Sequence, residues 1–226
     1  MGDVAVRLAD RMLRRRSFQF RPDRPVRWVS GHLMPVYNDN RQLLSDPVAR
    51  ALVVDGVAEQ MRLYHVRPSG IVGTATAGIA PATSLADYLC LPLYYVRPVE
   101  KDHGLGQRIE GRAEPFRDEE VVLIEDLVST GHSSVAALMA LIAAGAEVRH
   151  GFCVFSYGFG EAEEVYGSLP VPFEMHPLVD IELLLDRGRR NGLLRAPEVL
   201  ELRRWLEDPY AWGRRWEEQS EGREAS

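Results

Sequence analysis

The stretch VVLIEDLVSTGHSS, residues 121–134, joins an apolar run, two adjacent carboxylates and a segment of small and hydroxyl side chains. Residues 121–124 show no polar alternation, which is typical of a strand buried on both faces of a parallel sheet. Ligands of open α/β sheets bind beyond the carboxyl ends of the strands, and we expect Glu125 and Asp126 to stand there. The following residues then lead into the N-terminus of a helix.

This second half of the stretch is suited to binding a phosphate monoester. Successive backbone N–H groups, the helix dipole and hydroxyl side chains form a natural cradle for such an anion. Two carboxylates beside a phosphate site make sense if the same ligand also brings hydroxyl groups that donate to them. A ribose 5-phosphate carries both the phosphate and the hydroxyls. Neither G-x-x-x-x-G-K-[ST] nor G-x-G-x-x-G occurs here. The alternative interpretation is a helix N-cap at Ser133 or Ser134 after an incidental acidic pair.

The residues on either side alternate between helix and strand patterns, which predicts an α/β fold with a parallel sheet and helices on both faces. The segments before about residue 45 and after about residue 175 do not continue this alternation. We therefore predict one domain, residues 1–226, with an N-terminal helix and hood (about 1–45), an α/β core (about 46–175) and C-terminal helices and a tail (about 176–226). The predicted elements are a helix from Ser45 capped by Ser45 or Asp46, a strand in SGIVGTATAG, a helix in IAPATSLADYLC, a strand in LPLYYVRP, a long polar segment from about Val99 to Glu120, the strand VVLI, a helix ending at Gly145 and the strand EVRHGFCVFSY.

Composition excludes several classes of function. The net charge of −6 argues against a protein that binds nucleic acid through a basic face. The start, MGDVAVRLADRMLRRRSFQF, predicts an amphipathic helix and no signal peptide, and the longest apolar stretch, VAALMALIAAGA, is too short for a bilayer. Cys90 and Cys153 lie in apolar surroundings and are predicted to be buried thiols in a reducing compartment. We expect a cytoplasmic protein with no membrane or nucleic-acid partner.

Two motifs carry a resemblance to a known family. IEDLVSTGHSS resembles the phosphoribosyl-pyrophosphate (PRPP) motif of type I phosphoribosyltransferases. YYVRPVEKDHGLGQRIEG, residues 94–111, resembles the mobile catalytic loop of orotate phosphoribosyltransferases, although a merely solvated charged loop is the alternative. Further stretches agree with that family: VRWVSGHLMPVYNDNR (26–41) with its N-terminal signature, and GTATAGIAPA (73–82) with its pyrophosphate loop, where Gly73 and Gly78 are expected to let the backbone approach the ligand. The loop motif consists of Arg97, Lys101, Asp102, His103, Gly104 and Gly106.

The resemblance implies a type I phosphoribosyltransferase fold and transfer of a phosphoribosyl group from PRPP to orotate, giving orotidine 5′-monophosphate and diphosphate in pyrimidine synthesis. Lys101 would be the main catalytic cation, with Arg97 and His103 completing a clamp on the diphosphate. Mg²⁺ would be held mainly through PRPP, and no side chain is assigned to a metal. A homodimer with shared sites is implied, because the family's loop reaches into the neighbouring subunit.

The remaining site assignments also come from the resemblance. Glu125 and Asp126 would bind the ribose hydroxyls, with Asp126 counted among the catalytic residues. Ser129 would contact orotate, and Tyr37 would form a stacking wall unless it is simply hood core. The 5-phosphate cradle would consist of Leu127, Val128, Ser129, Thr130, Gly131, His132 and Ser133.

The sequence departs from the family at several positions. Pro98, Val29 and Ala77 stand where some members have lysine, and His132 replaces a glycine, which would strain the chain if φ is positive there. One branch of the family also holds the orotate carboxylate with an arginine that Ser156-Tyr157-Gly158 does not supply. We propose Arg41 as its substitute, with a hood ion pair as the alternative.

Two other functions are considered, namely a phosphoribosyltransferase acting on another base and a PRPP-sensing regulator without catalysis. The R-x-x-x-K-D-H-G-x-G loop, which other-base enzymes do not share, argues against the first. Lys101 and the acidic charge of the chain argue against the second, which the departures at Pro98 and Ala77 keep open.

Overall fold

The computed structural model describes residues 2–28, 31–98, 108–112, 114–117 and 119–224, with side chains as far as residue 218. In chain order the elements are α1 (Gly2–Arg14), β1 (Phe18–Phe20), β2 (Val26–Arg27), β3 (Leu33–Met34), β4 (Val36–Asn38), a 3₁₀ helix (Asn40–Ser45), α2 (Pro47–Leu63), β5 (Gly70–Thr74), α3 (Ile79–Leu89), β6 (Leu93–Val96), β7 (Ile109–Glu110), β8 (Glu120–Val128), α4 (His132–Ala143), β9 (Glu147–Ser156), α5 (Gly160–Gly167), β10 (Glu174–Asp180), α6 (Ile181–Arg190), α7 (Ala196–Glu207) and α8 (Pro209–Glu224).

A six-stranded sheet with the order β10-β9-β8-β5-β6-β7 organises the fold. Its strands are parallel except for β7, which pairs antiparallel with β6. The predicted α/β class and parallel sheet are therefore confirmed. The alternation of helices and strands runs further than expected, because β10 extends it to Asp180. Pro177 weakens the strand pattern there, but it is tolerated since β10 lies at the edge of the sheet.

The central strand β8 separates two hydrophobic cores. Val122 and Ile124 face one core, and Val121 and Leu123 face the other. All four are at most 1% exposed, which confirms that residues 121–124 are buried on both faces. The strand does not end there, however, and runs on through Asp126 to Val128. The acidic pair thus lies inside the strand, not after it as predicted.

A buried carboxylate links the amphipathic N-terminal helix to α2. Asp46 caps α2 by accepting from the backbone N–H groups of Val48 and Ala49. It also pairs with Arg11 of α1 and with Arg15, which directly follows that helix, at 3.1 and 2.9 Å. The hydrogen bond from Arg15 is the main reason why the pKa of Asp46 falls to about 2. Of the two predicted caps, the structure uses Asp46.

The expected hood is present over the carboxyl end of β8. It consists of the antiparallel pairs β1–β4 and β2–β3 and the 3₁₀ helix, whose first residue, Asn40, donates its amide N–H to the backbone carbonyl of Asp126 at 2.6 Å. The tryptophan-rich C-terminal segment forms α7 and α8 and belongs to the core, since Trp205 and Trp212 are 0% and 4% exposed.

Two local expectations were wrong. Cys153 is buried, but Cys90 is exposed, because it follows the last turn of α3 in a left-handed conformation with φ +54°. The long polar segment is not all loop, because Ile109 and Glu110 form β7 and Phe116 is buried beneath the guanidinium of Arg112. No helix within the described ranges is long and apolar enough to cross a membrane.

Candidate active site

An open pocket of about 540 Å³ lies where β5 and β8 approach the hood. It receives side chains from the end of β8, from the loop between β5 and α3, and from the hood. The described residues that line it are Asn38, Asp39, Asn40, Arg41, Thr74, Ala75, Thr76, Ala77, Glu125, Asp126, Leu127 and Ser133. The acidic pair, the predicted pyrophosphate loop and the hood signature thus meet in one place.

Glu125 is fixed by two hydroxyl groups. Thr74 donates to one of its carboxylate oxygens, and Ser134 donates to the other at 3.0 Å. The side chain is 4% exposed, and loss of hydration raises its pKa to about 7. The charged form of such a buried carboxylate is stabilised by any ligand that brings a cation or hydroxyl donors. The sequence assigned no role to Thr74 and considered Ser134 only as a helix N-cap.

Asp126 projects from the other side of β8, because neighbouring residues of a strand point to opposite faces. Burial raises its pKa to about 6, while the guanidinium of Arg41 acts in the opposite direction. The backbone N–H of Asp126 itself and that of Leu127 also favour its charged form. The pair therefore reaches the pocket from two directions, and only Asp126 remains half-exposed.

The predicted phosphate cradle ends in a helix N-terminus without a side-chain cap. The first backbone N–H groups of a helix have no partner within it, and the helix dipole favours an anion there. The alternative of an N-cap at Ser133 or Ser134 is therefore wrong, since the Ser134 hydroxyl is used on Glu125. Val128 is the last residue of β8 and its side chain is buried in a hydrophobic core, whereas Ser129 and Thr130 lie in the bend that follows.

The turn into α4 depends on Gly131. Its φ is +78°, and a Cβ there would lie 2.9 Å from Cγ2 of Val165. His132 is the first residue of the helix and is not among the described residues with positive φ, so the strain considered for it does not arise. Its imidazole is exposed and lies 3.0 Å from the Glu161 carboxylate.

The pyrophosphate-loop glycines lie in close contact with the rest of the protein. A Cβ on Gly78 would lie 2.6 Å from the carbonyl oxygen of Ile124, and one on Gly73 would lie 2.9 Å from the carbonyl oxygen of Gly78. Both glycines therefore let the loop pack against itself and against β8. The residues between them, from Thr74 to Ala77, line the pocket.

Of the predicted loop cations, only Arg97 falls within the described residues. It follows β6, and its guanidinium lies 3.6 Å from the Glu110 carboxylate on β7. The backbone of Val96, just before it, accepts from the N–H of Ala75 in the pocket wall. Lys101 and His103, with Asp102, Gly104 and Gly106, lie outside the described residues, as does Val29.

The hood side of the pocket holds two residues of particular interest. Arg41 lines the pocket and pairs with Asp39 at 2.6 Å, so the hood ion pair considered for it is present and its role towards orotate stays a prediction. Asn38 also lines the pocket, and both polar atoms of its carboxamide are buried without a hydrogen-bond partner. Tyr37 is half-buried on β4 and is not among the described lining residues. The sequence assigned no role to Asn38, although it directly follows Tyr37, which was considered for the stacking wall.

The end of β9 supplies aromatic packing in place of the missing arginine. Tyr157 is 2% exposed and packs against Trp28, Phe159 and Trp205, with ring centroids 5.0 to 5.9 Å away. Its burial raises the pKa of the phenol far above the usual range.

Comparison with known proteins identifies this arrangement. A family model described as "Phosphoribosyl transferase domain" matches residues 44–168. The chain is 37% identical over 211 residues to an orotate phosphoribosyltransferase of Cutibacterium acnes, covering 93% of this chain and 96% of that protein. It is 38% identical over 206 residues to that of Bacillus caldolyticus, covering 91% and 98%. The chain belongs to the orotate phosphoribosyltransferase family.

Solved structures agree with this assignment. An orotate phosphoribosyltransferase from Aeropyrum pernix superimposes with a TM-score of 0.70 at 26% identity, covering 83% of this chain and 99% of that one. A UMP synthase from Leishmania donovani gives a TM-score of 0.74 at 26% identity, covering 90% of this chain and 42% of that one. The type I phosphoribosyltransferase fold expected from the sequence is thereby confirmed.

Proposed function

We propose that this chain is the enzyme that transfers the 5-phosphoribosyl group from PRPP to orotate, yielding orotidine 5′-monophosphate and diphosphate. The observation that carries the proposal is the meeting of the acidic pair of β8 and the uncapped N-terminus of α4 beside one pocket. A ribose phosphate has hydroxyls for the first and an anion for the second. The full-length similarity to orotate phosphoribosyltransferases selects orotate as the base.

The acidic pair binds the ribose in this proposal. Glu125 and Asp126 accept hydrogen bonds from the ribose hydroxyls, while backbone N–H groups from Ser129 to Ser133 bind the 5-phosphate. Fixing both ends of the sugar holds its anomeric carbon in one position relative to the base. Such positioning contributes a large part of the catalysis of a two-substrate transfer.

The leaving diphosphate is bound by the loop cations. As the glycosidic bond breaks, positive charge develops on the ribose and negative charge moves to the diphosphate, so cations placed at the diphosphate stabilise the transition state. Lys101 has the main role, with Arg97 and His103 beside it. Arg97 then has to exchange its 3.6 Å contact with Glu110 for the diphosphate.

The composition adds support for a special role of Lys101. Of the 27 lysines and arginines in the chain, Lys101 is the only lysine. Arginine cannot release a proton under physiological conditions, whereas the lysine ammonium is a compact charge that can. All the remaining residues of this kind are arginines, and the single lysine lies in the catalytic loop. This choice supports a role for Lys101 in neutralising the leaving group and donating a proton to it.

Orotate is bound from the hood side. Arg41 binds its carboxylate, and the unpaired carboxamide of Asn38 offers one donor and one acceptor, which complement the N–H and C=O groups of the pyrimidine ring. Ser129 contributes a further contact, and Tyr37 supplies a wall if the hood closes over the base. A buried amide without partners is costly, and a bound pyrimidine removes that cost.

Mg²⁺ fits this pocket because the available donors are carboxylate oxygens, which a hard cation prefers. The ion would be held mainly through PRPP oxygens beside these carboxylates, and it would supply charge neutralisation for the diphosphate. We also propose a homodimer with shared sites, in which the loop cations act on the neighbouring pocket, and a cytoplasmic location.

The test is orotate consumption, followed by absorbance, with PRPP and Mg²⁺. We expect Lys101→Ala to lower kcat by at least about 100-fold and Lys101→Arg to restore only part of it. Arg149→Ala, which removes an exposed arginine near the amino end of β9, is the matched control and should leave turnover unchanged. If the wild type binds PRPP but consumes no orotate, the proposal fails. Consumption of adenine or hypoxanthine would indicate a different base, and inertness towards every base would favour a PRPP-sensing regulator.

A further inference from the structure

Three side chains that commonly bind metals converge on one face of the β9–β10 pair. Glu174 is the register partner of His150 across the two parallel strands. His176 lies two residues beyond Glu174, and residues i and i+2 of a strand point to the same face. One ligand atom of each residue lies within 4.8 Å of those of the other two. We call these three residues the His150 cluster.

The distances within the cluster match those required around a zinc-sized ion. Nδ1 of His150 lies 3.0 Å from Nε2 of His176, and that Nε2 lies 3.8 Å from a Glu174 carboxylate oxygen. Ligands about 2.0 to 2.2 Å from a tetrahedral zinc ion lie about 3.3 to 3.5 Å from one another. The observed distances fall on both sides of this value, so shifts of a few tenths of an ångström would complete the geometry.

The cluster is rigid at one ligand and open at another. His176 has 8% side-chain exposure and is stacked on Tyr64, with ring centroids 4.1 Å apart, and against Phe152. Glu174, in contrast, is 71% exposed and leaves room for water in a fourth position.

We propose that His150, Glu174 and His176 form a binding site for a divalent first-row transition ion of the zinc class. Two imidazole nitrogens and one carboxylate oxygen are a ligand set that such ions use, with an open fourth position. Mg²⁺ is a poor occupant because it prefers oxygen ligands.

The site is separate from the proposed catalytic pocket. His150 lies in the amino-terminal half of β9, whereas the pocket lies at the carboxyl ends of the strands. A metal here would bind the edge strand β10 to β9 and stabilise that side of the sheet, because a ligand that binds only the folded chain raises its stability.

Zinc binding to the full chain, stripped with a chelator, tests the proposal. We expect one equivalent of Zn²⁺ to bind and to raise the melting temperature. Glu174→Gln and His150→Gln should each weaken binding by at least about 10- to 100-fold and abolish the rise. Glu174→Gln alters an exposed side chain and should leave the fold intact. His65→Asn, an exposed histidine outside the cluster, is the matched control and should bind like the wild type.

Zinc could also bind the carboxylates of the pocket, so Asp126→Asn is measured in parallel. Tight binding that is lost in Asp126→Asn but kept in Glu174→Gln would overturn the proposal, as would the absence of binding to the wild type. The visible spectrum of the Co²⁺-loaded chain gives a readout that is independent of activity. Loss of the metal-centred bands in His150→Gln, but not in Asp126→Asn, would support the His150 cluster.

Discussion

Replacing the carboxyl of Glu125 with an amide should make the folded chain more stable above about pH 7. Burial raises the pKa of Glu125 from its usual 4.5 to about 7, and each pKa unit corresponds to about 1.36 kcal/mol. Ionisation of this side chain is therefore about 3 kcal/mol more costly in the folded chain than in the unfolded chain. Glu125 is 4% exposed, so solvent screening removes little of this cost.

The sign of the effect follows from proton binding. The folded chain keeps the Glu125 proton to a higher pH than the unfolded chain does. The free energy of unfolding of the wild type therefore falls as the pH rises from about 4.5 to about 7. Glu125→Gln lacks this dependence, so the variant should gain about 3 kcal/mol relative to the wild type across that window. A constant difference is added because the Thr74 and Ser134 hydroxyls must reorient towards the amide.

Urea unfolding at a series of pH values between about 5 and 8.5, without PRPP or Mg²⁺, measures this difference. Equal slopes of free energy against urea concentration would show that both proteins expose the same surface. Glu164→Gln, an exposed carboxylate on α5, is the matched control and should follow the wild type. If Glu125→Gln and wild type give parallel curves over the whole range, burial does not set the protonation of Glu125 and the reasoning is refuted.

Three further substitutions test the pocket. Gly131→Ala should lower stability by about 1 to 3 kcal/mol and weaken PRPP binding. Gly192 has a similar φ of +72° but open space where a Cβ would lie, so Gly192→Ala should cost less stability. Equal losses of stability in thermal unfolding would exclude the clash with Val165. Asn38→Ala should raise the KM for orotate about 10-fold with little change for PRPP, and an equal rise in both KM values would place Asn38 elsewhere. Arg41→Ala should likewise raise the KM for orotate while changing stability by at most about 1 kcal/mol, since the Arg41 side of its pair with Asp39 is 67% exposed. An unchanged KM would leave Arg41 with the ion pair alone.

The sequence was sufficient for most of the fold because its helices and strands follow the patterns that burial requires. The strand VVLI, the Asp46 cap and the helix that ends before Gly145 are set by local residues. Strand β10 was missed because Pro177 breaks a strand pattern, and only the position of β10 at the sheet edge makes this proline acceptable. The exposure of Cys90 depends on how the end of α3 packs, which apolar neighbours in sequence do not determine.

The site was predicted less completely because its contacts join distant segments. No motif assigns Thr74, Ser134 or Asn38 to the pocket. Thr74 lies in a strand, Ser134 in a helix and Asn38 in the hood, and these elements meet only in the folded chain. The motifs did identify the elements that form the pocket. A motif records that glycine is needed at positions 73 and 78 but does not record the protein atoms that approach them, and those contacts are visible only in the folded chain.

The different environments of Glu125 and Asp126 follow from the periodicity of β8 once its true end is known. Val121 and Leu123 face one core, and Val122 and Ile124 face the other. Residues two positions apart in a strand point to the same face. Glu125 therefore points to the same face as Val121 and Leu123, and Asp126 points to the same face as Val122 and Ile124. Glu125 therefore points towards α4, where Ser134 binds it, while Asp126 lies on the face covered by Asn40 and Arg41. Had the strand ended at Ile124, as predicted, this alternation would not apply, and the two carboxylates would have had no reason to differ in burial.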